Sequence, residues 1–411
     1  MTTTKIKTIF KEGAPFRLFF ASLLLSGLGY GIYKGILDNY LAEIVAMTEF
    51  DRGVTEFFRE LPGLMLVFIL AAFYTFSAEK LYKIGAVIML AGMGLISVVP
   101  AGRVLVTLSI FVYSLGEHIQ LGMKNTLTLE YAKERKGGTA LGYQSAIYQA
   151  GTLFGFLVIM VCFNRLIAGS PFRAFFLVST ALFALSLFVS LKISGKSELN
   201  RNSSRFYFKK KFRKYYMLEI FYGARKQVFF TFGPYVLILF YGADAARISL
   251  LFAISAISCY FLAPLVGRII DSLGYKAVMI ADTLILVVVC FFYGFAHHIF
   301  PKDIAYTVCC ANYVLDSIIS LASIASNVYV QDISDSTDEM QKTISTGVSV
   351  NHMITIFIAL FGGLIWQKLG IETLFVLSAI LGLCNSAYAA TIKVPPARQG
   401  GRGNEGLEGQ D

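Results

Sequence analysis

Charged residues stand where this sequence is most apolar. The stretch GYGIYKGILDNYL, residues 29–41, puts Lys34 and Asp38 inside an apolar run of about 16–45, long enough to cross a bilayer. Tyr30, Lys34 and Asp38 recur at i, i+4 and i+8, one stripe of a helix, and Lys34 and Asp38 are spaced to pair. The pattern recurs further on. Glu117, Gln120 and Lys124 share a face, as do Gln144, Tyr148, Gly151 and Gly155. Arg225 and Lys226 are adjacent, so they cannot point the same way, while Asn312, Asp316, Ser320, Ser323 and Asn327 make a polar stripe followed later by Asn351 and His352. A charge at mid-bilayer costs about 2.5–3.5 kcal/mol on insertion scales, so such groups face a protein interior or a wet cavity.

These residue types suit the capture of a small polar solute. An Arg can hold a carboxylate or phosphate bidentately and a Lys acts as a point charge. Tyr30, Tyr33, Tyr148 and Tyr222 would supply apolar walls with hydroxyl handles. Counting Lys34, Lys124, Arg225 and Lys226 against Asp38, Glu117 and Asp316 leaves a slight basic excess, which favours an anionic or zwitterionic solute. Glu117 and Asp316 are the carboxylates to carry a coupling proton. His118 and His352 are further candidates, since His titrates near neutrality, although a lone His is more often a helix-packing residue, and His297 and His298 read as loop.

The elements that must position these groups are helices. The chain has 411 residues, 56% hydrophobic and 15% charged, with mean hydropathy +0.65, against about 25% charged in a soluble domain. Twelve apolar runs lie near 16–45, 54–76, 84–100, 104–129, 139–162, 173–193, 216–241, 247–267, 277–297, 304–329, 342–367 and 371–391. They are too long and too continuously apolar for the strands of a barrel, so helices are expected. With the N-terminus inside, the inner segments hold about two dozen Lys and Arg and the outer ones about eight, as the positive-inside rule requires. The net charge of +10 is concentrated in KISGKSELNRNSSRFYFKKKFRKYY, residues 192–216, which reads as a cytosolic orientation signal against anionic headgroups. Nucleic-acid binding is not expected, because no soluble domain accompanies the block. The basic N-terminal stretch reads as a cytosolic tail before an uncleaved first helix, and VPPARQGGRGNEGLEGQD as a disordered cytosolic tail. The six cysteines show neither metal-ligand nor disulfide spacing and suit packing.

The chain repeats itself. YGIYKGI from Tyr30 and YGARKQV from Tyr222 share Tyr-Gly-x-x-Lys, 192 residues apart, and Glu79 and Asp271 in two turns are separated by the same 192. YSLGEHIQL from Tyr113 and YVLDSIISL from Tyr313 match more loosely. Parallel repeats of this kind mark transporter folds. The expected organisation is a six-helix half at 1–193, a basic linker at 194–214, a second six-helix half at 215–392 and a tail at 393–411.

The layout resembles the major facilitator superfamily. Members carry Gly-x-x-x-Asp-x-x-Gly-Arg-Arg/Lys in the turns after spans two and eight. Here the second turn has Gly267, Asp271, Gly274 and Lys276, with Tyr275 at an Arg position. The first has Glu79, Lys80 and Lys83, with Thr75 and Tyr82 in place of the glycines. The resemblance implies a cytosolic gate at these residues, its acid and base latching the halves in one state. Gly142, Gly151 and Gly155 partly match the glycine motif of antiporter members, but Phe156 replaces its Pro, and close helix packing is the better reading. The resemblance also implies an all-α membrane protein of two pseudo-symmetric six-helix bundles, whose spans 1, 4, 7 and 10 line a central cavity with help from 5, 8 and 11. Spans three, six, nine and twelve are nearly charge-free apart from Asp282 and should face lipid or support the bundle.

The expectation is a monomeric secondary active transporter of the plasma (inner) membrane. It would move a small anionic or zwitterionic solute by alternating access, with protons or ions as coupling partners. A proton-coupled exporter of lipophilic or cationic compounds, with Asp38, Glu117 and Asp316 as its acidic site, is the alternative. A polytopic membrane enzyme or sensor ranks last, because no metal-ligand cluster, nucleophile–base pair or phosphate loop stands among the spans. No cofactor and no metal are expected.

Overall fold

A computed structural model describes residues 8–13, 15–73, 75–133, 136–164, 171–194 and 208–394. The expected linker is therefore described only at its ends, and nearly all of the expected tail lies outside the described residues.

Twelve long helices follow one another: α1 Phe16–Ile44, α2 Glu49–Ala72, α3 Ala78–Val98, α4 Arg103–Tyr131, α5 Gly137–Cys162, α6 Phe172–Leu191, α7 Arg213–Tyr241, α8 Ala245–Leu273, α9 Tyr275–Ile299, α10 Lys302–Ile333, α11 Thr337–Leu369 and α12 Ile371–Ala390. Ten are long and apolar enough to span a membrane by composition. The exceptions are α2 and α7, which carry the densest charge. Arg52, Glu56, Arg59 and Glu60 lie in α2, and Glu219, Arg225 and Lys226 in α7. Their charges sit inside the bundle and mostly have partners, so hydropathy understates both as spans.

Caps explain several helix ends. Thr48 and Asp51 form a reciprocal capping box at the start of α2. Asp244 caps α8 through Arg247 N–H, and Ser77 caps α3 through Lys80 N–H. Gly274, at φ +83°, makes the turn from α8 to α9 with no room for a loop, a backbone conformation that only glycine adopts freely.

The pairing of helices repeats between the halves. In the first, α1 packs on α5 and α6, and α3 packs on α4 and α6. In the second, α7 packs on α11 and α12, and α9 on α10 and α12. Two seams join the halves, α2 with α11 and α5 with α8. The repeat that maps α2 onto α8 and α5 onto α11 turns one seam into the other, so the internal symmetry read from the sequence is a symmetry of the interface.

The glycine stripe of α5 serves packing. A Cβ at Gly151 would strike the α1 backbone at Leu24 and one at Gly155 would meet Ile32, while Gly27 and Gly31 of α1 face Tyr148 and Thr152 in the same way.

Candidate functional site

Two faces of the molecule differ. On the side opposite the 192–216 linker, the halves are sealed. Asn39 Nδ2 donates to Ala243 O at 2.7 Å, Tyr235 Oη to Met47 O at 2.6 Å, and Ser249 Oγ to Gly35 O at 3.1 Å. Gly53 of α2 and Gly363 of α11 lie backbone to backbone, and Phe156 of α5 meets Phe252 of α8 at 5.3 Å between ring centres. On the linker side, a cavity of about 460 Å³ lies among α7, α10 and α11, walled by Glu219, Tyr222, Lys226, Ser320, Asn327 and Asn351 among others. The structure is thus a bundle closed on one side with its cavity on the other.

Above the cavity, an ionic chain runs through the sealed half. Lys34 Nζ donates to Asp38 Oδ2 at 2.8 Å, as the spacing predicts. Arg52 Nη2 lies 3.1 Å from Asp38 Oδ1, and Arg52 Nη1 donates to Glu56 Oε2 at 2.9 Å. Arg59 bonds both Glu56 and Glu60. The second half completes it: Gln227 Nε2 donates to Glu56 Oε1 at 3.0 Å and His352 Nδ1 to Glu60 Oε2 at 2.8 Å, while Lys34 and Arg59 lie over the Phe230 ring at 4.8 and 4.9 Å. Three cations and three carboxylates alternate, so the chain is close to neutral and can lie buried without a stranded charge.

The α2 members of this chain, Arg52, Glu56, Arg59 and Glu60, were not among the predicted site residues. Their signal was present, since Arg52, Glu56, Arg59 and Glu60 sit at i, i+4, i+7 and i+8. Glu56, Arg59 and Glu60 lie inside the 54–76 run and Arg52 just before it; hydropathy counts all four against the span, and the helix itself starts earlier, at Glu49.

The remaining predicted residues divide by environment. Lys124 holds its ammonium 4.5 Å over the Tyr148 ring and is in no salt bridge among the described residues, Glu117 is half-buried on the same helix, and Tyr30 lies 6.2 Å from Tyr148 between ring centres; the wall of the cavity of about 460 Å³ comes instead from α7, α10 and α11. Lys226 is exposed into the cavity. Asn351 Nδ2 donates to Glu219 O at 3.2 Å, and Ser326 Oγ donates to Glu219 Oε1 at 2.8 Å. Asp316 is 7% exposed, and its carboxylate accepts no hydrogen bond from any described residue. It stands immediately before the 3₁₀ turn Ser320–Ser323 that breaks α10 beside the cavity, and such mid-helix breaks mark hinges and solute sites in transporters.

Other predicted residues lie elsewhere. Tyr33 packs against Tyr113 and Phe176 in the core. Gln120 Nε2 donates to Tyr82 O at 3.2 Å, across the α3–α4 contact, and Gln144 is buried beside Thr128 at 3.5 Å. Asn312 is buried and donates to Val308 O in its own helix. Arg225 borders the cavity, but its Nη1 donates to Asp282 Oδ2 at 2.9 Å with both side chains buried. This pair explains the one charge on α9. The cavity itself is walled by Arg225 and Lys226 against Glu219, a slight basic excess, while the ion-paired interior adds further charges. These are Arg52, Arg59, Glu56 and Glu60 in the sealed ionic chain and Asp282 beside Arg225.

The gate residues act within each half. Lys83 Nζ donates to Glu79 Oε1 at 2.6 Å and to Ile193 O at 2.7 Å, at the end of α6, while Lys80 lies 3.7 Å over the Phe76 ring. Lys276 Nζ donates to Ile392 O at 3.0 Å, just beyond α12. The two lysines make the same contact in the two halves. Asp271 is exposed and pairs with no described residue, and a Cβ at Gly267 would meet open space. Among the described residues, the hydrogen bonds of Lys83 and Lys276 stay within their own halves, which fits a cavity on that side.

Twelve helices in two repeated halves around an ionisable cleft define a multi-pass membrane protein of the transporter class. The sequence profile of the Major Facilitator Superfamily matches residues 215–409. Among solved structures, the nucleoside transporter NupG superposes with a TM-score of 0.72 at 16% identity, over 92% of this chain and 99% of that one. A POT family transporter in complex with 5-aminolevulinic acid gives 0.70 at 11% identity, over 90% and 94%. A search of curated proteins found no match. The profile covers just under half of the chain, and the likeness to these solved structures is one of fold.

Proposed function

We propose that this protein is a secondary active transporter that moves a small zwitterionic organic solute by alternating access, and that the structure is its linker-side-open state. One observation carries the solute class: charged groups of both signs, Lys226 and Glu219, wall the same cavity. Among the described residues, Lys124 and Lys226 are in no salt bridge, and neither are the carboxylates of Glu117, Asp316 and Glu219. A solute with an amine and an acid group at its two ends satisfies both. The cavity of about 460 Å³ suits a molecule of metabolite size. The linker side is read as cytosolic because the basic residues concentrate there.

Alternating access follows from the two seams. Closing the linker side requires the α2–α11 and α5–α8 contacts to shift from one end of the helices to the other. A small solute bridging Lys124 and Glu117 of the first half to Lys226 of the second would favour that closure. Asp316 and Glu117 are the groups to exchange a coupling proton.

The test is a ligand panel on purified protein, read by thermal shift, since a binder of the folded state stabilises it by mass action. Zwitterions should raise the melting temperature of wild type and lose that effect in Lys124→Ala and Lys226→Ala. Shifts from organic cations alone, unaffected by either substitution, would replace this reading with the exporter of cationic compounds.

A further inference from the structure

The ionic chain ends on a cluster that the ion pairing does not require. Glu60 of α2, His118 of α4 and His352 of α11 bring one ligand atom each to within 4.8 Å of one another. Glu60 and His118 belong to the first half and His352 to the second, so the three meet across the seam. We propose that they form a binding site for a divalent transition-metal ion of the Zn²⁺ class, and that the bound ion clamps the two halves in the linker-side-open state.

The donor chemistry fits. Two imidazoles and one carboxylate, with a fourth position open, are a recurrent Zn²⁺ ligand set. The tautomer of His118 is set by its surroundings. Its Nδ1 lies 2.9 Å from Ser114 O, a carbonyl that can only accept, so Nδ1 carries the proton and the Nε2 lone pair is free. Glu60 is held by Arg59 through Oε1, while Oε2 faces His352. His352 is the most accessible of the three and borders the cavity, which supplies a route for the ion.

Space has been left at this spot. Gly63 lies one turn after Glu60, and a Cβ there would come within 2.9 Å of His118 Nε2 and 3.1 Å of His352 Cγ. Any other residue at 63 would push the imidazoles apart. Tetrahedral bonds of about 2.0–2.2 Å put ligand atoms about 3.4 Å from one another. The 2.8 Å contact between Glu60 and His352 must therefore open slightly and the wider separations close by less than 1.5 Å.

The clamp follows from geometry. His352 and Glu60 must separate if α11 slides against α2 when the cavity closes. An ion held by both opposes that movement.

The experiment uses purified full-length protein in detergent. Co²⁺, which substitutes for Zn²⁺ and reports its coordination through visible d–d absorption, is titrated first. Wild type should develop the intense bands of a four- or five-coordinate ion in a 1:1 ratio, reversed by Zn²⁺, and His118→Gln and His352→Gln should each abolish them. Melting temperatures without metal verify that both variants fold. Gly63→Ala, which leaves all three ligands in place but crowds them, should weaken the Co²⁺ signal at least tenfold. In proteoliposomes, Zn²⁺ should slow solute exchange by wild type. A Co²⁺ spectrum that stays that of the hydrated ion, or bands that persist in both His variants, overturns the site. Binding without slowed exchange overturns the clamp and leaves the site.

Discussion

Replacing Gly53 by alanine puts a methyl group where α2 and α11 touch backbone to backbone. The added Cβ would overlap Ala359 O and press on Gly363 Cα at 3.2 Å, and both obstacles are main chain, which cannot rotate away. Overpacking of this kind costs about 1–3 kcal/mol. The cost falls only on conformations in which the two helices meet at this end, so it acts on the equilibrium between states. One to three kcal/mol shifts that equilibrium by about 5–150-fold towards conformations open on the side away from the linker. Spin labels at Ile44 and Lys368, exposed positions on either side of the seam, should show in a pulsed-dipolar measurement a new longer distance in Gly53→Ala. Gly53→Val should enlarge that population. Gly142→Ala, where a Cβ would meet open space, should leave the distances as in wild type. If Gly53→Ala folds with an unchanged distance distribution, the reasoning is refuted, because the crossing would then not be what holds that side shut.

The Arg225–Asp282 pair should behave as structure. Arg225→Met should cost about 3–5 kcal/mol by stranding a buried carboxylate, and adding Asp282→Leu should recover most of it, measured by thermal unfolding; a double variant that folds but binds no solute would return Arg225 to the site. Arg52→Ala should destabilise by a similar amount, since it removes the cation shared by Asp38 and Glu56, with α1 and α2 losing hydrogen-exchange protection first. Glu117→Gln and Asp316→Asn, assayed for uptake driven by a pH gradient in proteoliposomes, should retain solute exchange at equal pH while at least one loses accumulation; accumulation surviving in both would remove these carboxylates from proton coupling. Lys83→Met and Lys276→Met should each cost about 1–3 kcal/mol, the range for a lost hydrogen bond from a charged donor, and by similar amounts, because each holds the end of the sixth helix of its own half.

Much of this was legible in the residues. Twelve helices, their two halves and the pairing of Lys34 with Asp38 follow from the length of apolar runs, the 192-residue offset and an i, i+4 spacing. These depend on local rules: a bilayer fixes span length, and helix pitch fixes which neighbours share a face. The glycines of α5 could be assigned to packing for the same reason.

The site was legible only in part, and α2 shows why. Hydropathy penalises a charge whether or not it has a partner. A helix whose Arg and Glu residues satisfy one another therefore looks like the edge of a span, and Arg52, Glu56, Arg59 and Glu60 were passed over. Gln120, Gln144 and Tyr33 fail in the opposite way. Their spacing puts them on a plausible stripe, but which neighbour covers that stripe depends on helix rotation, and the packing of α3, α5 and α6 turns them inward.

The sequence by itself determined the class of solvent each segment meets and the repeat that generates two bundles, because both depend on residues close together in the chain. Only the tertiary structure decided which charges cancel, which stay free to meet a solute, and that Glu60, His118 and His352 share one place. Those outcomes depend on contacts between helices as much as 295 residues apart, and in a low-dielectric interior the partner, rather than the residue, sets whether a charge is silent or available.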